Sequence, residues 1–303
     1  MIEPLEQQHP PKTVVVIPAF NEERFIGSVV LKARQFVETV IVVDDGSTDS
    51  TREIAQAAGA VLIAHDHNGG KGMALNTGFA KAREYAPDVV VTLDGDWQHM
   101  PEQIAQVAAP ILGGQADIVV GSRYLDDTSD VPPARVIGHW GFTALTNLLS
   151  GVRLTDSQSG YRAFSPRAVQ ELSFSSRSFS VESEMQFLAR DHQFKVVEVP
   201  IIIRYADKPK RSVVRHGFTV LDGLLHLVVQ HRPLLFFSVP GLGSLLVGLL
   251  LGLQVIHSYN VSQTLAIGTG LLVVLFLLTG LFFIFTGIIL WALRAFFHQP
   301  PPR

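Results

Sequence analysis

The chain has 303 residues, a formal net charge of -3 and no cysteine. That charge gives no global attraction to nucleic acid, and the missing cysteines exclude disulfides and thiolate metal sites. Hydrophobic residues make up 47% of the chain and the mean hydropathy is +0.28, an excess concentrated near the C-terminus.

Residues 1–12 are polar and Pro-rich and read as a disordered tail. They lack a basic stretch followed by an apolar core, so they are not a signal peptide, and the domain that follows is expected in the cytoplasm. From residue 13 to about 205, apolar strand-like runs alternate with helical segments. Thr13–Ile17, Val40–Val43, Val61–Ala64 and Val89–Leu93 read as strands. Glu22–Phe36, a segment from Thr51 to Ala58 and Lys71–Tyr85 read as helices. Thr48-Asp49-Ser50-Thr51 supplies the cap of the second of these. Near-continuous apolar strands alternating with helices imply a parallel sheet covered on both faces, whose ligands bind at the carboxyl ends of the strands. The polar clusters fall at those ends: Pro18-Ala19-Phe20-Asn21-Glu22, Asp44-Asp45-Gly46-Ser47 and Asp94-Gly95-Asp96.

The last cluster is the most demanding. Asp94 and Asp96 end a buried strand one residue apart, a placement that costs too much for stability alone. A hard divalent cation such as Mg2+ or Mn2+ makes sense of them, and such ions pair with phosphate oxygens. Asp44 and Asp49 have plainer roles, closing a strand-end turn and capping a helix. Gly70-Lys71-Gly72 lacks the glycine spacing of a P-loop. Its glycines suit close backbone approach to a ligand, and Lys71 either meets a phosphate or stands in solvent. Glu182 and Glu184 either anchor a helix start or face the site. Tyr124–Val136 reads as a loop able to close over a ligand.

The C-terminal third belongs to a membrane. Leu234–Ile256 and Leu265–Leu293 carry no charge, and each exceeds the roughly 20 residues that span about 30 Å of hydrocarbon. The polar link His257–Thr264 makes them a transmembrane hairpin. Arg232 precedes the first span, Arg294 and Arg303 follow the second, and the link has no Lys or Arg. By the positive-inside rule both termini are cytoplasmic. Upstream, 206–232 combines a basic stretch with Phe218–Gln230, whose helical apolar period fits an interfacial helix. Gly241, Gly243, Gly248 and Gly252 suit close helix contacts, of which a homo-oligomer is one use. Residues 298–303 form a cytoplasmic tail.

Taken in order, Pro18-Ala-Phe-Asn21-Glu22, Asp44-Asp-Gly-Ser-Thr-Asp49, Gly70-Lys71-Gly72, Asp94-Gly-Asp96, Gly121-Ser122-Arg123 and Asp156-Ser-Gln-Ser159-Gly-Tyr-Arg162 resemble family 2 of the inverting glycosyltransferases. With Gln98-His99 and the hairpin, the chain looks like the polyprenyl-phosphate glycosyltransferases, similar to dolichyl-phosphate mannose synthase. The resemblance implies a GT-A fold: α/β, Rossmann-like, with a mostly parallel sheet and helices on both faces, followed by the hairpin. It implies transfer of a hexose from a GDP- or UDP-linked sugar to a polyprenyl or dolichyl phosphate at the cytoplasmic face.

Site residues follow from the same resemblance. Pro18, Asn21, Glu22, Asp45, Lys71 and Asp94 would hold the nucleotide, with Glu22 near the ribose and Asp45 on the base imide. Asp94, Asp96 and Gln98 would surround the divalent cation. Asp96, Arg123 and Arg135 would carry the catalytic charge. Ser159 and Arg162 would line the acceptor side, and Arg204, Lys210, Arg211 and Ser212 would meet the lipid phosphate. A processive polysaccharide synthase would carry a Gln-x-x-Arg-Trp segment and more spans, neither of which is present. A catalytically silent adaptor would not need Asp94, Asp96, Gln98 and Arg123.

Overall fold

The computed structural model describes residues 11–126, 133–175, 181–203, 233–264 and 266–297. The chain forms two compact units, Met1–Leu224 and Leu225–Arg303.

The first unit is built on seven strands. β1 (Thr13–Ala19), β2 (Thr39–Asp44), β3 (Val61–Ala64) and β4 (Val89–Thr92) are the apolar runs read from the sequence. β5 (Ile118–Ser122), β6 (Arg162–Phe164) and β7 (Val196–Pro200) complete a sheet of order β3-β2-β1-β4-β6-β5-β7. Helices α1 (Ile26–Ala33), α2 (Thr51–Ala57), α3 (Lys71–Arg83), α4 (Ile104–Leu112), α5 (Pro133–Ser150), α6 (Pro166–Glu171) and α7 (Val181–Asp191) alternate with them. Strand alternation feeds two cores. Val15, Ile17, Val42 and Val91 pack with Ile26, Val30, Ala55 and Val107 on one face. Val14, Val16, Ile41 and Val90 pack with Leu75, Phe79, Val169 and Met185 on the other. Helices thus cover both faces, as the apolar strands require.

The sheet is mixed rather than parallel throughout. β6 runs antiparallel between β4 and β5. Its start, not its end, lies at the carboxyl edge, because Thr92 at the end of β4 donates through Oγ1 to the Gly160 carbonyl at 2.8 Å. The reversal brings residues 156–160 to the edge where β1, β2, β4 and β5 end.

The 124–136 loop expected from the sequence is shorter than read, since α5 already starts at Pro133. Residues 127–132 lie outside the described residues, as do 204–232 with the expected interfacial helix and Arg204, Lys210, Arg211 and Ser212.

The second unit holds α8 (Pro233–Ser262) and α9 (Ile267–Phe297), both long and apolar enough to span a membrane. α8 runs past the apolar stretch because His257, Ser258, Tyr259 and Asn260 continue it as helix. The two helices meet at glycines. A Cβ on Gly280 would lie 2.7 Å from the Gly241 carbonyl oxygen, and one on Gly248 would lie 3.0 Å from Leu277. Gly241 and Gly248 are therefore used inside the hairpin, whereas Gly243 faces open space.

Gly78 of α3 lies against β1. A Cβ there would fall well inside van der Waals contact of Val16 Cγ1. Gly78→Ala overpacks this seam and is expected to cost about 1–3 kcal/mol, read as a lower unfolding temperature by circular dichroism.

Candidate active site

Four loops converge at the carboxyl edge of the sheet. The loop after β1 is stitched to the loop after β2. Asn21 N–H donates to Ser47 Oγ (2.9 Å), Glu22 N–H to Thr51 Oγ1 (2.8 Å), and Thr48 N–H to Asn21 Oδ1 (2.9 Å). Asp44 and Asp49 do the plain work assigned to them. Asp44 accepts from Ser47 N–H and from Arg52, and Asp49 accepts from the Thr51 amide and hydroxyl. Asn21 (φ 55°) and Trp97 (φ 63°) both sit in the left-handed region. Such strain is kept where surrounding contacts fix a loop for function. Pro18 is the penultimate residue of β1 and pairs with Val43 of β2.

Asp45 is buried, and its carboxylate closes the next loop. It accepts from Gly69 N–H (3.0 Å) and Gly70 N–H (2.7 Å), and His65 Nδ1 lies 2.8 Å away. This fixes the start of α3, and so Lys71. In this arrangement Asp45 sets the backbone before Lys71, rather than presenting its oxygens outward for a base imide.

Lys71 is the centre of the charge cluster. Its Nζ lies 2.5 Å from Asp94 Oδ1 and 2.7 Å from Glu182 Oε1. Burial alone would lower the Lys71 pKa, but the Asp94 and Glu182 carboxylates outweigh it and raise it. Burial would likewise raise Asp94, and the Lys71 ammonium brings it down to about 2. Gly160 makes room for this pair, since a Cβ there would lie 2.6 Å from Asp94 Oδ2 and 2.8 Å from Lys71 Nζ.

Asp96 is different. Burial, then the neighbouring Asp94 charge, pushes it up to about 6, with Glu22 adding to the effect. Gln98 holds it through its backbone N–H (3.1 Å) and side-chain Nε2 (2.6 Å). Glu22 is near, as a Cβ on Gly95 would sit 3.5 Å from its Cγ. The cluster thus carries more negative charge than Lys71 neutralises, on hard oxygen donors. Such hard oxygen donors are the type that Mg2+ or Mn2+ takes, while among the described residues no three His, Asp or Glu side chains are grouped to hold an ion.

His99 is buried behind the pair. Burial lowers its pKa to about 4, and its neutral ring accepts the Asp94 N–H through Nδ1 at 3.2 Å. Arg123 is gripped by Asp156, with Nε to Oδ2 at 2.5 Å and Nη2 to Oδ1 at 2.6 Å. Burial would raise Asp156, and the Arg123 guanidinium more than offsets it. Glu198 in turn accepts from the Thr155 and Asp156 amides at 2.8 and 3.1 Å. Arg162 is only 1% exposed. Its guanidinium donates to the Ser159 and Ser157 carbonyls at 2.8 and 2.9 Å and approaches Met185 Sδ. With Ser159 also buried, these two residues form the floor under the 156–160 loop rather than an open acceptor face. Arg135 lies in the first turn of α5.

The sequence reading passed over Asp156 as a site residue, as well as His65 and Glu198, and left Glu182 undecided. Asp156 stood inside a motif already quoted, so a signal was present. His65 and Glu198 carried none. Asp156→Ala strips the bidentate partner from a guanidinium that is 9% exposed. It is expected to cost about 3–5 kcal/mol, the range for breaking a buried pair, and Asp156→Asn less, both measured by denaturant unfolding in detergent.

Residues 14–173 match the family model described as glycosyl transferase family 2. An uncharacterized protein of Methanocaldococcus jannaschii is 38% identical over 70% of this chain and 90% of its own. A protein of Methanococcus voltae named UDP-N-acetylglucosamine–dolichyl-phosphate N-acetylglucosaminyltransferase is 35% identical over 70% of this chain and 94% of its own. Among solved structures, glucosyl-3-phosphoglycerate synthase of Mycobacterium tuberculosis, in complex with Mn2+, UDP and phosphoglyceric acid, superposes with a TM-score of 0.55 at 25% identity. It covers 71% of this chain and 78% of that one. The two strand-end aspartates thus sit in a GT-A fold, and the chain is a glycosyltransferase that belongs to glycosyl transferase family 2.

Proposed function

We propose that the chain transfers a hexose from a nucleotide diphosphate sugar to a polyprenyl or dolichyl phosphate at the cytoplasmic membrane face. The transfer depends on a divalent cation and inverts the anomeric carbon. The observation that carries this reading is the surplus of negative charge on the half-buried Asp94 and Asp96, in a chain that also holds two membrane-length apolar helices. The Methanococcus relative, named for a dolichyl-phosphate acceptor and a UDP-linked donor, supports the lipid phosphate and makes a uridine diphosphate sugar the first donor to test.

Asp94 and Asp96, with Gln98 bracing Asp96, would hold Mg2+ or Mn2+. When bound, the cation supplies positive charge against the oxygens of the departing diphosphate. Lys71 and Arg123 add fixed positive charge, each already oriented by a carboxylate partner, so little reorganisation is needed during reaction. Pro18, Asn21, Glu22 and the glycines flanking Lys71 shape the nucleoside end.

The acceptor phosphate has a second pKa of about 6 and is largely a dianion at neutral pH. One of its oxygens donates a lone pair to the anomeric carbon as the bond to the diphosphate oxygen breaks. Attack in line with the leaving group inverts the centre. No proton has to be removed, so no general base is needed. This agrees with His99, which is held neutral as an acceptor of the Asp94 amide. Arg135 and the basic residues Arg204, Lys210 and Arg211 would draw the lipid phosphate to the site.

Purified protein in lipid, given radiolabelled UDP- and GDP-sugars with polyprenyl phosphate, is expected to form a lipid-linked sugar. EDTA should stop the reaction, Mn2+ or Mg2+ should restore it, and polyprenol lacking the phosphate should give no product. Asp96→Asn is expected to abolish transfer while circular dichroism stays unchanged. Undiminished turnover in that variant would sink the metal assignment.

A further inference from the structure

His65 lies between the sequence motifs, yet its imidazole joins two of the elements that build the site. Its backbone is fixed on both sides. The His65 N–H donates to the Asp44 carbonyl at 2.8 Å, and its own carbonyl accepts from Arg52 Nη2 at 3.4 Å. The side chain is 15% exposed. Nδ1 lies 2.8 Å from Asp45 Oδ1, and Nε2 lies 3.0 Å from Thr77 Oγ1. Both Asp45 oxygens face N–H donors, Gly69 on Oδ1 and Gly70 on Oδ2, so the carboxylate is the acceptor toward the ring as well. A ring with one proton therefore carries it on Nδ1 and accepts the Thr77 hydroxyl through Nε2.

Thr77 is a fixed point for that ring. It stands in α3 beside Gly78, where the helix lies so close to β1 that a Cβ would overlap Val16 Cγ1. Gly70 precedes the helix at φ 91°, a conformation that favours glycine, and offers no side chain to cap the first turn. Asp45 supplies the acceptor from outside the helix. A continuous chain of contacts thus runs from the seated body of α3 through Thr77, His65 and Asp45 to the amides that precede Lys71.

We propose that His65 is a positioning residue for the transfer reaction. It aims the Asp45 carboxylate at the Gly69 and Gly70 amides and so holds Lys71 between Asp94 and Glu182. The Asp45 contact does the positioning, and the Thr77 hydroxyl sets which way the ring is turned. The consequence for catalysis rests on the glycosyl-transfer reading, in which the Lys71 charge opposes the departing diphosphate. The placement of Lys71 does not rest on it.

An asparagine at position 65 presents an amide N–H near the place of Nδ1 and does not reach Thr77, which separates the two contacts. Full-length protein in lipid is pulsed with acetic anhydride, and acetylation is read by peptide mass spectrometry. The Lys71 side chain, 23% exposed with two carboxylate partners, is compared with those of Lys32 and Lys81, 32% and 31% exposed and each paired with one carboxylate. His65→Ala is expected to acetylate severalfold faster at Lys71, with Lys32 and Lys81 unchanged. His65→Asn should return Lys71 to near the wild-type rate, and Thr77→Val should fall between. In the transfer assay His65→Ala should lower kcat more than it raises the donor KM, with the same recovery in His65→Asn. Equal rates at Lys71 in wild type and His65→Ala would overturn the proposal. So would faster labelling of all three lysines in both His65 variants, the mark of a residue that only packs. Wild-type protein that transfers no sugar would refute the reaction, while acetylation would still decide the placement of Lys71.

Discussion

The ion cluster of Lys71 with Asp94 and Glu182 is the constraint around which the catalytic unit is arranged. Asp94 follows a strand whose residues are fully buried, and Glu182 begins a helix that is buried along most of its length. Neither carboxylate is stable there without a partner, and one ammonium serves both. Ion pairs of this kind are poor stabilisers compared with apolar packing, because desolvation consumes most of the attraction. Their retention at the end of a sheet is better explained by binding. Asp96 makes the point, since burial and the Asp94 charge oppose its ionisation and the Gln98 amide and Lys71 offset them only in part.

Lys71 and Arg123 are each held by groups from different parts of the chain. Asp45 on the β2 loop pins the Gly69 and Gly70 amides that introduce Lys71. Glu198 on β7 pins the Thr155 and Asp156 amides, and Asp156 then pins Arg123 at the end of β5. Arg162 ties down the Ser157 and Ser159 carbonyls from below. The buried guanidinium gives two of its donors to these carbonyls, so it contributes to the shape of the loop that carries Asp156 and Gly160. The chemistry is thereby preorganised by the fold rather than by ligand arrival.

The sequence made the first half of the sheet legible and much of the second half opaque, for physical reasons. β1, β2 and β4 are apolar runs, the first leading into Asn21-Glu22 and the other two into Asp and Gly, so apolar pattern and loop chemistry agree. β6 has three residues, too few for any period, and its reversed direction follows from where the 156–160 loop sits. Asp94 and Asp96 stood out because paired carboxylates at a strand end have few bland explanations, whereas Lys71 was open between a phosphate contact and solvent and its pairing with Asp94 and Glu182 carried no sequence signal. The partnership of Asp45 with His65, twenty positions away, depends on two loops meeting in space. Arg162 looked like a ligand-facing cation because a motif gives its identity and not its burial. In the hairpin, glycines that suit contact between copies proved to serve contact within one copy. Between apolar helices in lipid there is no hydrophobic drive, and close backbone approach at Gly241 and Gly280 supplies the packing instead.

The same geometry limits the kind of nucleophile the site suits. A hydroxyl acceptor needs a base of pKa near neutrality, within reach and free to take a proton. His99 is not such a base, since burial lowers it and its Nδ1 is occupied by the Asp94 amide. Asp94 is held ionised by Lys71, too weak a base to draw a proton from an alcohol. Asp96 comes closest to a useful pKa, but on the proposed chemistry its carboxylate is committed to the cation. A phosphate acceptor escapes all three restrictions, because its attacking oxygen is ionised before it arrives. Among the described residues of the site none is an available base, and the proposed lipid phosphate needs none, because its attacking oxygen is ionised already and Lys71 and Arg123 are held in place by their carboxylate partners.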